Sequence, residues 1–240
     1  MARASRRGKA LARRVVKRGI GRRALIRLTT RPSSRHALVG PADLWRIKRR
    51  FQFEFLTSRG LRSEQRLLDI GCGTLRGGIP LIDYLAAGHY VGVEARENVL
   101  DEGRRELSEA GLDDKRPVLI HAADLAQVHL EAPVDVAWAF SVLIHMTDEI
   151  VDTCLDLVDR ALTADGEFYA NVQLGERSDR RWFEFPLVRR PREFYEALAA
   201  NHGLEVSDLG TLDALGHRSG SASQDAQTML LFTRARHAAR

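Results

Sequence analysis

The run Leu67-Leu68-Asp69-Ile70-Gly71-Cys72-Gly73-Thr74-Leu75-Arg76-Gly77-Gly78 constrains this chain more than any other stretch. An apolar run ends beside an acid and glycines follow, the pattern of a buried strand turning into a helix around a ligand. Glycine lets backbone approach where a side chain would block it. The spacing also argues against one ligand. A dinucleotide turn needs a third glycine three residues after the second, so that a pyrophosphate can sit on the helix N-terminus. Here that position is Arg76, and Gly77 and Gly78 come one step late.

From residue 66 onward, strand-like and helix-like patterns alternate, the signature of a parallel sheet wrapped on both faces. Strands are expected near 66–70, 89–93, 118–121, 134–139, 166–172, 204–209 and 227–233, with helices near 75–86, 97–110, 148–162 and 191–201. Before them, Leu44, Ile47, Phe51 and Phe55 recur at steps of three and four, which predicts a helix with one apolar face. Trp45, Phe51, Phe53, Phe55 and Leu56 are read there as core packing or as a cover for the open edge of the ligand site.

The apolar run His89 to Val93 ends in Glu94, about where an acid would hold ribose hydroxyls. Val118-Leu119-Ile120-His121 is followed by Asp124, and Val134 to Ala139 leads into Phe140, Ser141 and then His145. Taken in order, these segments resemble the motifs of the class I S-adenosylmethionine-dependent methyltransferases, with Asp69-Ile70-Gly71-Cys72-Gly73 matching motif I. The resemblance implies an α/β fold, a Rossmann-like, seven-stranded, mostly parallel sheet with helices on both faces and an antiparallel final strand. It implies S-adenosyl-L-methionine as cofactor, with Asp69, Gly71, Cys72 and Gly73 at the turn, Glu94 on the ribose, Asp124 beside the adenine amine, and Phe140 and Ser141 near the methionine portion. Asp124 and Glu94 also have a plainer reading, as helix caps. His145 is the candidate general base, with local packing or substrate orientation as its alternative. The runs Leu75 to Leu85 and Pro191 to Tyr195 resemble small methyltransferases that modify sugars or secondary metabolites.

Two connections are long enough to set acceptor specificity. One, from Gln173 to Arg190, includes Arg177, Arg180, Arg181, Trp182, Phe183 and Phe185, and the other holds His217, Arg218 and Ser219. Both should leave the sheet on the ligand side, since ligands sit outside the carboxyl ends of parallel strands. The segment from Gly210 to Asp225 reads as loop. No carboxylate cluster stands at the fourth-strand exit, so no metal site is expected. The Asn/Asp-Pro-Pro-aromatic tetrad of many base-methylating enzymes is missing too, which disfavours nucleic acid as acceptor.

The formal charge of +5 hides a division: residues 1–35 hold 13 Lys and Arg and no acid, while the remainder has 24 basic against 32 acidic residues. The expected organisation is a basic arm over 1–35, a helical lid segment over 36–65 and the methyltransferase domain over 66–240. The arm suits a solvated tail, contact with an anionic membrane surface, or nucleic-acid contact and targeting. Two cysteines without a spaced framework suit a reducing cytoplasm, with peripheral membrane contact through the arm as a further expectation. The function expected is methyl transfer to a small-molecule or glycan hydroxyl. Its rival is a non-catalytic binding or scaffold protein on the same fold that uses the arm to bind an anionic surface.

Overall fold

The computed structural model describes residues 38–182 and 185–235; the basic arm over 1–35 and Phe183 lie outside the described residues. Helix α1 (Trp45–Ser58) leads into β1 (Leu67–Ile70), α2 (Gly78–Tyr84), β2 (Tyr90–Glu94), α3 (Glu97–Glu109), β3 (Val118–His121) and β4 (Val134–Ala139). Then follow α4 (Asp148–Ala161), β5 (Leu162–Val172), β6 (Ser178–Trp182), β7 (Phe185–Arg189), α5 (Arg192–Asn201), β8 (Leu204–Thr211), the short α6 (Ala222–Asp225) and β9 (Thr228–Arg234).

Seven strands form one sheet in the order β3-β2-β1-β4-β5-β9-β8, with β9 antiparallel to both neighbours and the other pairs parallel. This is the expected doubly wound sheet with an antiparallel last strand. One face is covered by α4 and α5 through Val151, Leu155, Val158, Tyr195 and Ala199. The other is covered by α1, α2 and α3 through Phe51, Phe55, Ile79, Leu100 and Leu107. The strand order reverses between β1 and β4, and in open α/β sheets the ligand crevice lies at that point, beyond the carboxyl ends of the strands.

Three departures from the sequence reading have local causes. Helix α2 begins at Gly78 rather than 75, because Leu75 has a left-handed φ of 56° and prolongs the turn. The long connection from Gln173 to Arg190, for which no strand was expected, contains the antiparallel hairpin β6–β7, pairing Ser178 with Arg189 through Trp182 with Phe185. On α1, Ile47 is only half-buried while Lys48 and Arg49 are buried, so the helix turns two basic residues inward.

Helix α1 is anchored by aromatic rings. Trp138 and Phe140 project from the same face of the β4 segment because strand side chains alternate, and their rings stack at 5.6 Å with an interplanar angle of 2°. Phe51 and Phe55, one helical turn apart, pack on Phe140 at 5.4 Å and on Trp138 at 5.5 Å. Such pairs contribute about 0.5–1.5 kcal/mol each beyond their buried area. The indole N–H of Trp138 donates to Gln52 Oε1 at 3.1 Å. That carbonyl comes so close to Gly77 that a Cβ there would lie 2.4 Å away. The late glycines thus serve packing: Gly77 admits α1, and a Cβ on Gly78 would meet the Tyr90 hydroxyl at 2.6 Å. Replacing Gln52 by Met leaves the buried indole N–H without its acceptor. The expected loss is about 1–3 kcal/mol, read from urea unfolding; an unchanged midpoint would remove this bond from the account.

Candidate active site

The register Asp69 opposite Trp138 brings Gly71 level with Phe140, so the two chain exits face one another across the crevice. Gly71 and Gly73 have φ of 71° and 59°, conformations that favour glycine. The turn's donors are satisfied internally. Gly71 and Cys72 both give their N–H to the Val93 carbonyl, and Gly73 gives its N–H to Glu94 Oε2 at 3.0 Å. The other Glu94 oxygen accepts from the backbone N–H of Arg96 at 3.1 Å and from its Nε at 3.3 Å. Glu94 is thus a buried carboxylate fastened to the glycine turn, at the end of β2 where the sequence put it.

Asp69 lies beneath the turn and accepts the Tyr90 hydroxyl at 2.6 Å. Burial pushes its pKa up to about 7, opposed by that hydrogen bond and by Arg76. Cys72 packs against Gly92, and burial raises its thiol pKa well above the usual range, so its sulfur is a core atom. Asp124 is exposed and caps the 3-10 turn Leu125–Gln127 by accepting the Ala126 N–H at 2.9 Å. The capping alternative is what its side chain does here.

Ser141 takes a left-handed φ of 61°. Its N–H donates to Asn171 Oδ1 at 2.6 Å, and Asn171 Nδ2 donates to Gln227 Oε1, a chain across the ends of β4, β5 and β9. His145 gives its Nδ1–H to the Pro186 carbonyl at 2.7 Å, since a carbonyl can only accept, which leaves Nε2 as the bare nitrogen. The ring lies 5.9 Å from Trp182 and 5.8 Å from Phe185, so the β6–β7 hairpin folds back over it. Burial lowers its pKa, with Lys48 and Arg96 acting in the same direction against the Pro186 bond, and the ring is neutral at pH 7.

Of the second acceptor connection, His217 is fully buried, between Phe51 and Phe140 at 5.1 and 5.7 Å. Arg218 points to solvent beside Asp213. Ser219 holds Asp225 through both its N–H and its hydroxyl. Arg177 pairs with Asp148 at 2.7 Å.

Sequence reasoning missed Lys48, Arg76, Asn171 and Gln227. Lys48 could have been found: it falls on the stripe Leu44, Phe51, Phe55 at helical spacing, where a lysine is out of place. It is 7% exposed and reaches Ser141 Oγ at 3.4 Å and the Phe140 ring at 5.9 Å. Arg76, also buried, gives Nη1–H to the Val39 carbonyl, while its Nε has no partner among the described residues. Among those residues, no group of three or more His, Cys, Asp or Glu is placed to hold a metal.

Burial, with help from Arg76, pulls the Lys48 pKa from 10.5 to about 7. A lysine with its folded pKa below its unfolded value binds fewer protons in the native state between the two, so stability rises as pH climbs from about 7 toward 10.5. Lys48→Met removes that slope. It is expected to stabilise the fold near pH 7 by up to roughly 3 kcal/mol, with a vanishing gain near pH 10. Urea midpoints at the two pH values check it, and equal effects at both would refute the burial account.

A family model described as "Methyltransferase domain" matches residues 68–168. No curated protein matches the chain. Among solved structures, magnesium protoporphyrin IX methyltransferase (ChlM) from Synechocystis PCC 6803 is similar at a TM-score of 0.60 and 16% identity, over 80% of this chain and 86% of that one. An S-adenosylmethionine-dependent methyltransferase from Clostridium acetobutylicum ATCC 824 aligns at 0.59 and 13% identity, over 80% and 92%. The glycopeptide N-methyltransferase MtfA aligns at 0.58 and 16% identity, over 78% and 90%. At these identities the structural likeness speaks to the fold, and the family model speaks to the segment that builds the crevice. Residues 68–168 thus match the methyltransferase-domain family, and the described chain shares the fold of the S-adenosylmethionine-dependent methyltransferases it aligns with.

Proposed function

We propose that this chain binds S-adenosyl-L-methionine at the β1/β4 crevice and transfers its methyl group to a hydroxyl oxygen of a small-molecule or glycan acceptor. The observation that supports this most is the Glu94 carboxylate, buried at the end of β2 and tied to the Gly73 N–H. A carboxylate offers about four lone-pair sites, and three are used here, so a ribose hydroxyl finds an acceptor at the glycine turn. The unpartnered Arg76 Nε and the nearly unpaired Lys48 ammonium fit the ligand's carboxylate end. Asp124, at the surface, keeps acceptor capacity for an adenine amine. The residues present therefore fit the cofactor.

The cofactor supplies a methyl group on a sulfonium, an electrophile whose displacement needs nucleophile, carbon and sulfur in line. The chain's part is to position and to exclude water. Phe51, Phe140 and His217 form an apolar wall, Ser141 is locked by Asn171, and the β6–β7 hairpin with His145, Trp182 and Phe185 flanks the acceptor side. Neutral imidazoles beside that wall favour an acceptor that must shed a proton, which suits a hydroxyl. We also propose a cytoplasmic enzyme whose arm over 1–35 touches anionic membrane surfaces.

Calorimetry tests the central reading. Wild type should bind S-adenosyl-L-methionine, and Glu94→Ala should weaken binding at least about ten-fold, or about 1.4 kcal/mol. Absence of binding in wild type, or equal affinity in the variant, would sink it. For the arm, deleting residues 1–35 should abolish co-sedimentation with phosphatidylserine vesicles at low salt, and unchanged partitioning would retire the membrane contact.

A further inference from the structure

His217 stands out among the buried polar groups. It is 0% exposed, and its Nδ1–H donates to Asp225 Oδ1 at 3.0 Å. Its Nε2 has no partner among the described residues. Leaving such an atom buried and unsatisfied costs about 1–3 kcal/mol, so a fold keeps it only against some return. Asp225 is held by the N–H and hydroxyl of Ser219 and the N–H of Gly220, at 2.7–3.0 Å. A fixed carboxylate therefore fixes one tautomer of a buried imidazole and leaves the bare nitrogen on the other side of a ring that packs against Phe51 and Phe140. Phe140 is level with Gly71 across the crevice.

Resting on the methyl-transfer reading, we infer that His217 faces the reacting methyl and takes the acceptor's proton at Nε2, with Asp225 as its positioning residue. In that step the acceptor O–H proton passes to Nε2 and the oxygen lone pair forms the bond to the methyl carbon. The carbon–sulfur bond breaks with its electron pair left on sulfur. The imidazolium formed is stabilised by Asp225 and gives its proton to water when the crevice opens. His145 has no comparable support, because its Nδ1 partner is the neutral Pro186 carbonyl, which stabilises an imidazolium less than a carboxylate does. His145 stands instead on the acceptor side, under the hairpin.

The charged groups acting on His217 are Asp225 from its own loop, Lys48 from α1 and Arg76 from the glycine turn. Burial lowers its pKa and the two cations lower it further, while Asp225 raises it, so the ring is neutral and basic at pH 7. Burial works against the Asp225 charge too, but the bonds from Ser219, Gly220 and His217 outweigh it and keep the carboxylate ionised.

The test compares two ligands that differ by one charge at sulfur, S-adenosylmethionine and S-adenosylhomocysteine, so that effects at their common ends cancel. Calorimetric affinities for both are measured from about pH 5.5 to 8.5 on the full chain. If His217 faces the sulfonium, acidification should erode the preference for the charged ligand by roughly five-fold or more. His217→Gln should at least halve that erosion and His145→Gln should leave it, whereas Lys48→Met should remove a separate component near pH 7. Asp225→Asn should move the His217 midpoint to lower pH, which a merely structural contact would not do. His217→Asn, measured alongside with thermal melts, guards against a folding defect in one variant.

With a pool of phenolic and sugar hydroxyl acceptors, S-adenosylhomocysteine release by His217→Gln should fall by about 100-fold. If wild type binds neither ligand, the methyltransferase reading fails and this inference falls with it. If both bind and the ligand preference changes with pH equally in wild type and His217→Gln, the inference alone is overturned.

Discussion

The docking of α1 on the Trp138–Phe140 stack is the contact on which the rest of the site depends. It buries four aromatic rings in one cluster and fixes the rotation of the helix about its axis, because only one face of α1 offers phenyl rings at the right step. With that rotation set, Lys48 points into the crevice. Arg49 reaches the Arg76 carbonyl at 2.8 Å and stacks on Trp45 at 3.7 Å, while Gln52 wedges between Gly77 and Trp138. A segment that precedes the first strand thereby supplies one wall of the ligand site. The late glycines of the turn have their explanation here too, as clearance for neighbouring side chains.

Around that wall the chain gathers charges that few cores would hold. Asp69, Glu94, Lys48, Arg49 and Arg76 are all buried, and most are answered by a neighbouring side chain or by the backbone. Glu94 is answered by Gly73 and Arg96, Asp69 by Tyr90, and Arg49 by the Arg76 carbonyl. Lys48 and Arg76 are the least well answered, and both border the crevice. Buried charges are tolerated when paired and hydrogen-bonded and are costly otherwise. The imbalance falls where a ligand of mixed charge would sit.

Much of this was legible in the sequence because the sheet strands are buried and apolar, and buried parallel strands leave continuous hydrophobic runs between turn residues. The positions of Gly71, Gly73, Glu94 and Phe140 follow from strand ends alone. The β6–β7 hairpin was not legible. Its first strand, Ser178-Asp179-Arg180-Arg181-Trp182, is almost wholly exposed, so no alternation of apolar and polar residues marks it. Lys48 and the His217–Asp225 pair escaped for a different reason: their environment is made by segments far apart in the chain, and no local spacing records it. Asp124 shows the converse, a residue placed by family resemblance whose side chain is engaged in a local turn.

The stretch Leu38-Val39 gives one more consequence. Its two carbonyls accept from Arg96 and Arg76, and the Val39 methyl Cγ1 lies 2.8 Å from where a Cβ on Gly73 would stand. Any molecule resting on that side of Gly73 must evict Val39 before it can settle, and each guanidinium bond surrendered costs about 1.5–3 kcal/mol unless the newcomer replaces it. Occupancy and strap position are therefore one equilibrium. Since every 1.4 kcal/mol is a factor of ten in affinity, the few residues joining the arm to α1 set how tightly the crevice grips and how soon it lets go.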